Sequence, residues 1–194
     1  MNLRCTFGLL SLFIQPSVFA CGPTPQKVVE TIEIHAPVNA VVEVLTHPEL
    51  MPRWHPMVEK VATTPALSLS EGAFPEQRRE LMLRNGQTLH ERLRQPGKPT
   101  VVEDSLMAGG NFPMSQYRGV LEVRPSDKGD VVTLVWSARF NNQANLLDAP
   151  AGQDNATAIA AVTAFYLKGL QGLKHYLETS PDQYSYHTPQ TKEN

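Results

Sequence analysis

The feature that most constrains the fold is a series of six short alternating segments between residues 57 and 140, followed by one long helical pattern. In the last segment, VVTLVWSARF (131–140), Val132, Leu134 and Trp136 fall on one face, and more polar residues lie between them. A period of two residues is typical of a strand with one buried face. The segments therefore predict an antiparallel sheet with a single apolar side.

Short turn signals separate these segments. RRELMLR (78–84) and QTLHERLRQ (87–95) flank Asn85 and Gly86, a pair that strongly indicates a hairpin. PGKP (96–99) and SDKGD (126–130) mark further turns. Connections this short place successive strands side by side and antiparallel.

Helical patterns lie before and after this region. A further alternating strand is predicted over 27–37, and helical spacing follows over 38–51 until Pro48 breaks it and a second short turn begins. Residues 155–178 carry an apolar stripe at helical spacing, with Asp154 or Asn155 as the cap.

The order of these elements predicts an α+β fold. We expect a curved antiparallel sheet of about six to seven strands wrapped around a long C-terminal helix, with two short helices after strand 1. Such a sheet leaves a space beside the helix. The small helix residues either keep this space open or allow close packing; they are Ala160, Ala161, Ala164, Gly169 and Gly172.

The N-terminus resembles an export signal. Arg4 precedes the apolar stretch 7–14, and Val18 and Ala20 suit a cleavage site. Eight apolar residues are too few to span a bilayer, which needs about 20. The alternative is a core helix. The predicted organisation is a signal peptide at 1–20, a tether at 21–26, one domain at 27–179 and a flexible tail at 180–194.

Cys21 follows the predicted cleavage site directly. Its position resembles a bacterial lipoprotein box, in which the Cys is acylated after cleavage, although Phe19 is bulky for that motif. Lipidation at Cys21 and plain cleavage both remain open. The predicted location is the periplasm, either free or with a membrane tether through Cys21. Removal of Cys5 with the signal leaves one Cys and no internal disulfide.

Composition and motifs exclude several function classes. The chain has 17 Lys and Arg against 19 Asp and Glu, and no basic run exceeds a pair, so nothing favours nucleic acid as a partner. The six His show no metal-ligand spacing, and no P-loop, G-x-G-x-x-G or G-x-S-x-G motif occurs. We expect neither a metal nor a cofactor.

Aromatic residues mark a candidate pocket. Trp54 and His55 lie in the break MPRWHPMVEKV (51–61), where they either line a cavity mouth or form a core plug beside an exposed His. The apolar faces of the last strands and the C-terminal helix supply residues that either line a cavity or fill the core: Tyr117, Leu121, Trp136, Phe140, Phe165 and Tyr166.

Glu91 is the candidate acid or base. It shares a strand face with Leu89 and Leu93, and burial there would raise its pKa. The alternative is an ion pair with a cross-strand arginine, Arg79 or Arg78, or a place at the wet rim. Asp104 invites the same argument more weakly.

The segment IHAPVNAVVEVLTHPELMPRWHP resembles the start of the START-like, or SRPBCC, superfamily. The matching positions are Ile34, Ala36, Pro37, Val41, Leu45 and Trp54, whereas Val44 stands where many members carry Trp or Phe. RRELMLRNGQTLHERL, NFPMSQYRGVLEVRP and VTLVWSARF resemble the exported branch related to the MxaD protein of methanol oxidation. The resemblance covers about 27–178.

This resemblance implies the helix-grip fold with a hydrophobic cavity, and it leaves the activity open. The first hypothesis is an exported protein that binds a small apolar or amphipathic ligand, oriented by Glu91, Tyr117 and His55. The second is a polyketide cyclase/dehydratase-like enzyme with Glu91 or His55 in proton transfer. The third is an accessory protein of a periplasmic oxidoreductase. Two titratable side chains converging in the cavity would favour catalysis over binding alone.

Overall fold

The computed structural model describes residues 23–64, 76–127 and 129–179. The predicted signal peptide (1–20), the lipidation candidate Cys21 and the predicted tail (180–194) lie outside these residues, so their roles stay predictions.

Seven antiparallel strands form one sheet, in the order β1-β7-β6-β5-β4-β3-β2. This order confirms the predicted fold class. The first and last strands of the chain are neighbours in the sheet, because β1 pairs with β7. The strands are β1 (Gln26–Ile34), β2 (Val58–Thr64), β3 (Glu76–Leu83), β4 (Thr88–Arg94), β5 (Val101–Leu106), β6 (Met114–Pro125) and β7 (Val132–Asn142).

The helices lie where the periodicity predicts them. Helix α1 (Val38–Thr46) ends before a 3₁₀ turn (Pro48–Leu50), and α2 (Met51–Trp54) follows at once. The long helix α3 (Asn155–Thr179) begins after Asp154, whose Oδ1 accepts a hydrogen bond of 2.8 Å from the Thr157 N–H. Asp154 is therefore the cap, and this bond satisfies one of the free N–H groups of the first turn.

The β3–β4 hairpin turns at Asn85 and Gly86, as predicted, but its connection is longer than a two-residue turn. The Gly86 N–H donates to the Leu83 carbonyl at 2.9 Å, and Gly86 adopts a φ of +82° that favours glycine. The resulting register places Arg79 directly opposite Glu91.

Helix α3 packs closely against the sheet and α2. A Cβ added at Gly169 would lie 2.7 Å from His55 Nε2 and 2.9 Å from Trp136 Cζ3, and one added at Gly172 would overlap the Trp54 carbonyl. At these two positions the small residues therefore allow close packing, the second of the two interpretations of the helix composition.

Candidate ligand-binding site

A small cavity lies between the α1–α2 segment (residues 38–54) and the sheet, and no residue of α3 lines it, so the prediction that the cavity lies beside the long helix is wrong. Its volume is about 30 Å³, which is room for one or two water molecules. Apolar side chains form most of the wall, and one cation and one carboxyl group form its polar part. The lining residues are Val44, Leu45, Pro48, Met51, Trp54, Arg79, Val102, Asp104, Leu121 and Trp136.

Five polar side chains continue from this cavity into the interior; we call them the buried polar cluster. Arg79 Nε donates to Glu91 Oε2 at 2.7 Å, and an Arg79 terminal nitrogen lies 3.8 Å from Asp104 Oδ2. The Tyr117 hydroxyl donates to Asp104 Oδ2 at 3.0 Å and lies 2.7 Å from the Tyr166 hydroxyl. Only 9% of the Arg79 side chain and 2% of the Glu91 side chain are exposed, so each charge depends on its partners.

Gly119 makes space for this cluster. It lies opposite Asp104 in the β5–β6 register, and a Cβ there would overlap both Asp104 Oδ1 and the Tyr117 hydroxyl. Asp104 Oδ1 is buried and has no hydrogen-bond partner among the described residues. Asp104 is also one of the residues that line the cavity.

Burial changes the protonation of the cluster. It raises the pKa of Asp104 to about 7, and repulsion by Glu91 acts in the same direction, whereas Arg79 and Tyr117 oppose it. Burial also raises the pKa of Tyr117 and Tyr166 well above the usual value. Burial lowers the pKa of Arg79, but Glu91 and Asp104 more than offset this and leave it raised. Asp104 therefore exchanges a proton near neutral pH.

His55 is fully buried, so the alternative of an exposed His is wrong. Its ring lies 4.1 Å from the Phe165 ring and 5.5 Å from the Trp54 ring, and Nδ1 accepts a 3.3 Å hydrogen bond from the Met57 N–H. Burial and, to a smaller degree, the charge on Arg79 together lower the pKa of His55 to about 3. His55 is therefore neutral at physiological pH, with its proton on Nε2.

The structure places the predicted site residues in two groups. Trp54, Leu121 and Trp136 line the cavity. The others are buried around it without lining it: His55, Glu91, Tyr117, Phe140, Phe165 and Tyr166. A part for the second group in ligand binding stays a prediction.

Two outcomes concern the charged residues. Glu91 is buried and forms an ion pair with Arg79 on the neighbouring strand. This is the alternative that the sequence analysis gave to a role as acid or base. Sequence reasoning treated Arg79 only as that partner and missed that it lines the cavity. Asp104 was the weaker of the two carboxylate candidates in the sequence, and it is Asp104, not Glu91, that lines the cavity.

Within the described ranges, no group of three or more His, Cys, Asp or Glu residues could hold a metal ion. Among the same residues, no helix is both long and apolar enough to cross a membrane.

Comparison with known proteins places the chain among helix-grip proteins. The family model described as polyketide cyclase / dehydrase and lipid transport matches residues 25–178. No curated protein sequence matches the chain.

Solved structures share the fold at low sequence identity. The ZhuI aromatase/cyclase from Streptomyces sp. R1128 is 17% identical, with a TM-score of 0.63 over 84% of this chain and 99% of its own. A START superfamily protein from Mycobacterium smegmatis is 16% identical, with a TM-score of 0.58 over 79% and 97%. The protein XoxI from Bacillus cereus is 20% identical, with a TM-score of 0.59 over 77% and 94%. At these identities the likeness concerns the fold alone.

Proposed function

The chain belongs to the polyketide cyclase / dehydrase and lipid transport family, and from this premise we propose that it binds a small amphipathic molecule at the cavity. The family match and the START-like fold support a ligand-binding or cyclase-type protein. The observation that carries the proposal is that Asp104, whose Oδ1 has no hydrogen-bond partner among the described residues, lines an otherwise mainly apolar cavity.

The charges at the cavity specify the polar group of the ligand. Arg79 is already paired with Glu91, and Asp104 adds a second carboxyl group, so the cluster offers no excess positive charge to an anion. A hydroxyl group, in contrast, can donate a hydrogen bond to Asp104 Oδ1 while its apolar body contacts Trp54 and Trp136. A flat molecule with one phenol or alcohol group fits this chemistry.

Such a molecule needs more room than about 30 Å³. The α1–α2 segment covers the cavity with helices of nine and four residues, and no side chain caps α1. Helices this short depend on packing for their stability. We propose that this segment moves away from the sheet when the ligand enters.

Binding of 2-naphthol tests the proposal, because this probe combines a flat apolar body with one phenol donor. We expect quenching or a shift of the fluorescence of Trp54 and Trp136, which line the cavity. Naphthalene, which has no donor, and 2-naphthoate, an anion, should bind more weakly. Equal binding of all three compounds, or no binding of 2-naphthol, would contradict the proposal.

A substitution that fills the cavity supplies the matched control. Leu121→Phe adds volume at the cavity wall and should abolish 2-naphthol binding. Val123→Ile adds volume on the same strand and the same face, but Val123 does not line the cavity, so binding should persist.

A second candidate function is proton transfer of the cyclase or dehydrase kind. Asp104 and the permanently charged Arg79 both line the cavity, and burial brings the pKa of Asp104 to about 7. A carboxylate with that pKa can take a proton from the carbon beside a ketone to form an enolate and then return the proton to that carbon.

Hydrogen–deuterium exchange of 2-tetralone, followed by NMR, tests this second function. Asp104 would remove the α-proton and return a deuteron, so the wild type should exchange faster than buffer alone. Asp104→Asn should lower the catalysed rate by about 10²–10⁴-fold while 2-naphthol still binds. Exchange no faster than in buffer would leave binding as the function.

We further propose that the protein is exported to the periplasm and processed before Cys21. The support is the charge, apolar stretch and small residues of 1–20. The intact mass of the protein from its own cells tests this: a mass beginning at Cys21 with added acyl chains indicates a lipid anchor, and an unprocessed chain rejects export.

Partnership with a periplasmic oxidoreductase has a narrower basis, namely the resemblance of three segments to the MxaD-like branch. Genes for a dehydrogenase and a cytochrome beside this gene would support that partnership, and their absence would favour the independent binding protein.

A further inference from the structure

Three cations lie in one row on the outer face of the sheet, away from α3. Lys27 on β1 lies opposite Arg139 on β7, which in turn lies opposite Arg118 on β6. All three are exposed, and none forms an ion pair with another described residue. Since neighbouring strands are about 4.8 Å apart, the three positions span roughly 10 Å. We call this surface the basic corner.

A groove of about 480 Å³ adjoins the basic corner, and no carboxylate lines it. Two of the three cations contribute to its wall, together with prolines at the start of the described chain and with uncharged residues. The lining residues are Pro23, Pro25, Gln116, Arg118, Arg139, Phe140, Asn141 and Asn145. This local excess of positive charge contrasts with the formal net charge of −2 of the whole chain.

Exposed apolar side chains occur next in the chain to a residue of this groove and on the same face of the sheet as the cations. Leu146 and Leu147 follow Asn145 directly and are 55% and 59% exposed, the highest values among the large hydrophobic residues described. On the outer face of the sheet, Val29 and Val120 are 45% and 37% exposed, two residues along from Lys27 and Arg118 respectively. The two valines thus share the outer face with the cations, and the two leucines directly follow a residue that lines the groove.

In water, neither the positive charges nor the apolar side chains of this surface have a favourable partner. Like charges directly opposite each other on neighbouring strands are destabilising, and two adjacent exposed leucines leave apolar area in contact with water. An anionic phospholipid surface supplies both negative headgroups and an apolar layer beneath them. We propose that the basic corner, with Leu146 and Leu147, docks on a membrane of anionic phospholipid.

The position of the chain's N-terminal segment agrees with this orientation. Pro23 lines the groove and is two positions after Cys21, so their Cα atoms are at most about 7 Å apart. An acyl chain on Cys21 would therefore enter the same membrane surface. The docking itself requires no acylation, since cations and apolar side chains together bind lipid surfaces.

Sedimentation of the full, non-acylated chain with vesicles tests the proposal. We expect binding to phosphatidylcholine vesicles that contain phosphatidylglycerol, weaker binding to phosphatidylcholine alone, and a decrease with added salt. Arg118→Gln should lower binding to the anionic vesicles about fivefold. Lys168→Gln, the matched loss of one exposed charge on α3, should leave it unchanged.

The leucines are tested separately. The double variant Leu146→Ser, Leu147→Ser should lower vesicle binding about tenfold and keep its salt dependence, because it removes apolar contact and no charge. Leu167→Ser on α3, where the leucine is 40% exposed, is the matched control and should have no effect. Circular dichroism checks that each variant is folded.

Three outcomes would overturn the proposal. These are equal binding to neutral and anionic vesicles, anionic binding that Arg118→Gln does not reduce, and binding to a polyglutamate peptide without binding to vesicles. The last result would instead indicate an acidic protein partner. None of these measurements depends on 2-naphthol binding, so the two proposals fail independently.

Discussion

Arg79, Glu91 and Tyr117 lie inside the protein, whereas the residues immediately before or after them, Arg78, Arg92 and Arg118, lie on the outer face of the sheet. The inner residues have charged or hydrogen-bonding partners at 2.7–3.0 Å. On the outer face, Arg78 lies directly opposite another cation, Arg92, whose Nε is 2.8 Å from Glu76 Oε1. Neighbouring residues of one strand therefore differ in what they need. A buried charge needs an oppositely charged or hydrogen-bonding partner, whereas an exposed charge is solvated by water.

The two faces should differ most in how far replacing an arginine, Arg79 inside or Arg78 outside, lowers the free energy of unfolding. Arg79→Met removes the only cation of the buried polar cluster and leaves Glu91 and Asp104 to repel each other. We expect the free energy of unfolding to fall by about 3–5 kcal/mol, measured by urea denaturation at pH 7. A loss below about 1 kcal/mol would show that water reaches the cluster.

The second test of the buried side is how the free energy of unfolding changes at low pH, where the buried His55 should take up a proton. The pKa of His55 is lowered to about 3 in the folded protein from 6.5, so its stabilising contribution is complete above pH 6.5 and is lost as the pH falls toward 3. We expect a loss of about 3 kcal/mol by pH 4 in urea unfolding. His55→Gln should remove this slope, whatever its effect on stability at pH 7.

The contribution of Asp104 to stability should depend on pH with the opposite sign to that of His55 and with a smaller magnitude. Its pKa is raised to about 7 from 3.8, so the folded protein keeps a proton that the unfolded chain releases. This contribution is complete below about pH 4 and is lost as the pH rises to about 7. Asp104→Asn should therefore gain stability relative to the wild type across that range. Parallel pH profiles of the two proteins would contradict the assignment.

Gly119→Ala tests how tightly the cluster is packed. The added methyl group would overlap Asp104 Oδ1 and the Tyr117 hydroxyl, and we expect a loss of about 2 kcal/mol in thermal or urea unfolding. Val120→Ala, at the next residue on the outer face, should cost about 0.5 kcal/mol or less because Val120 is exposed.

The smallest effect belongs to Arg78→Met, the counterpart of Arg79→Met. Arg78 is exposed and lies opposite Arg92, so its loss removes a repulsion between like charges. We expect a change within about 0.5 kcal/mol, in the direction of higher stability at low salt. A loss comparable to that of Arg79→Met would erase the distinction between the two faces.

Much of the fold follows from local pattern. The alternation in VVTLVWSARF predicts which residues of β7 face the core, and the helical stripe predicts α3, because both depend only on neighbouring residues. The candidate site follows less well. Trp54 and Trp136 were predicted to be either core or cavity wall, and both are buried residues that line the cavity.

Residues distant in sequence formed the parts that local pattern could not predict. Lys27, Arg118 and Arg139 come from three strands, and each strand alone shows only one ordinary exposed cation. Gly119 likewise shows no signal in the sequence, since its importance depends on Asp104 across the strand pair.

The β3–β4 hairpin shows what the sequence alone determines and what only the tertiary structure decides. The sequence alone determined that two strands meet near Asn85 and Gly86. A two-residue turn there would have placed Arg79 opposite Arg92, whereas the longer turn places it opposite Glu91. Alternation belongs to each strand by itself, so the local order of residues predicts it. Register depends on turn geometry and on packing between distant segments, and a shift of one residue exchanges the partners of every side chain. Only the tertiary structure could decide that the charge on Arg79 is paired inside the protein.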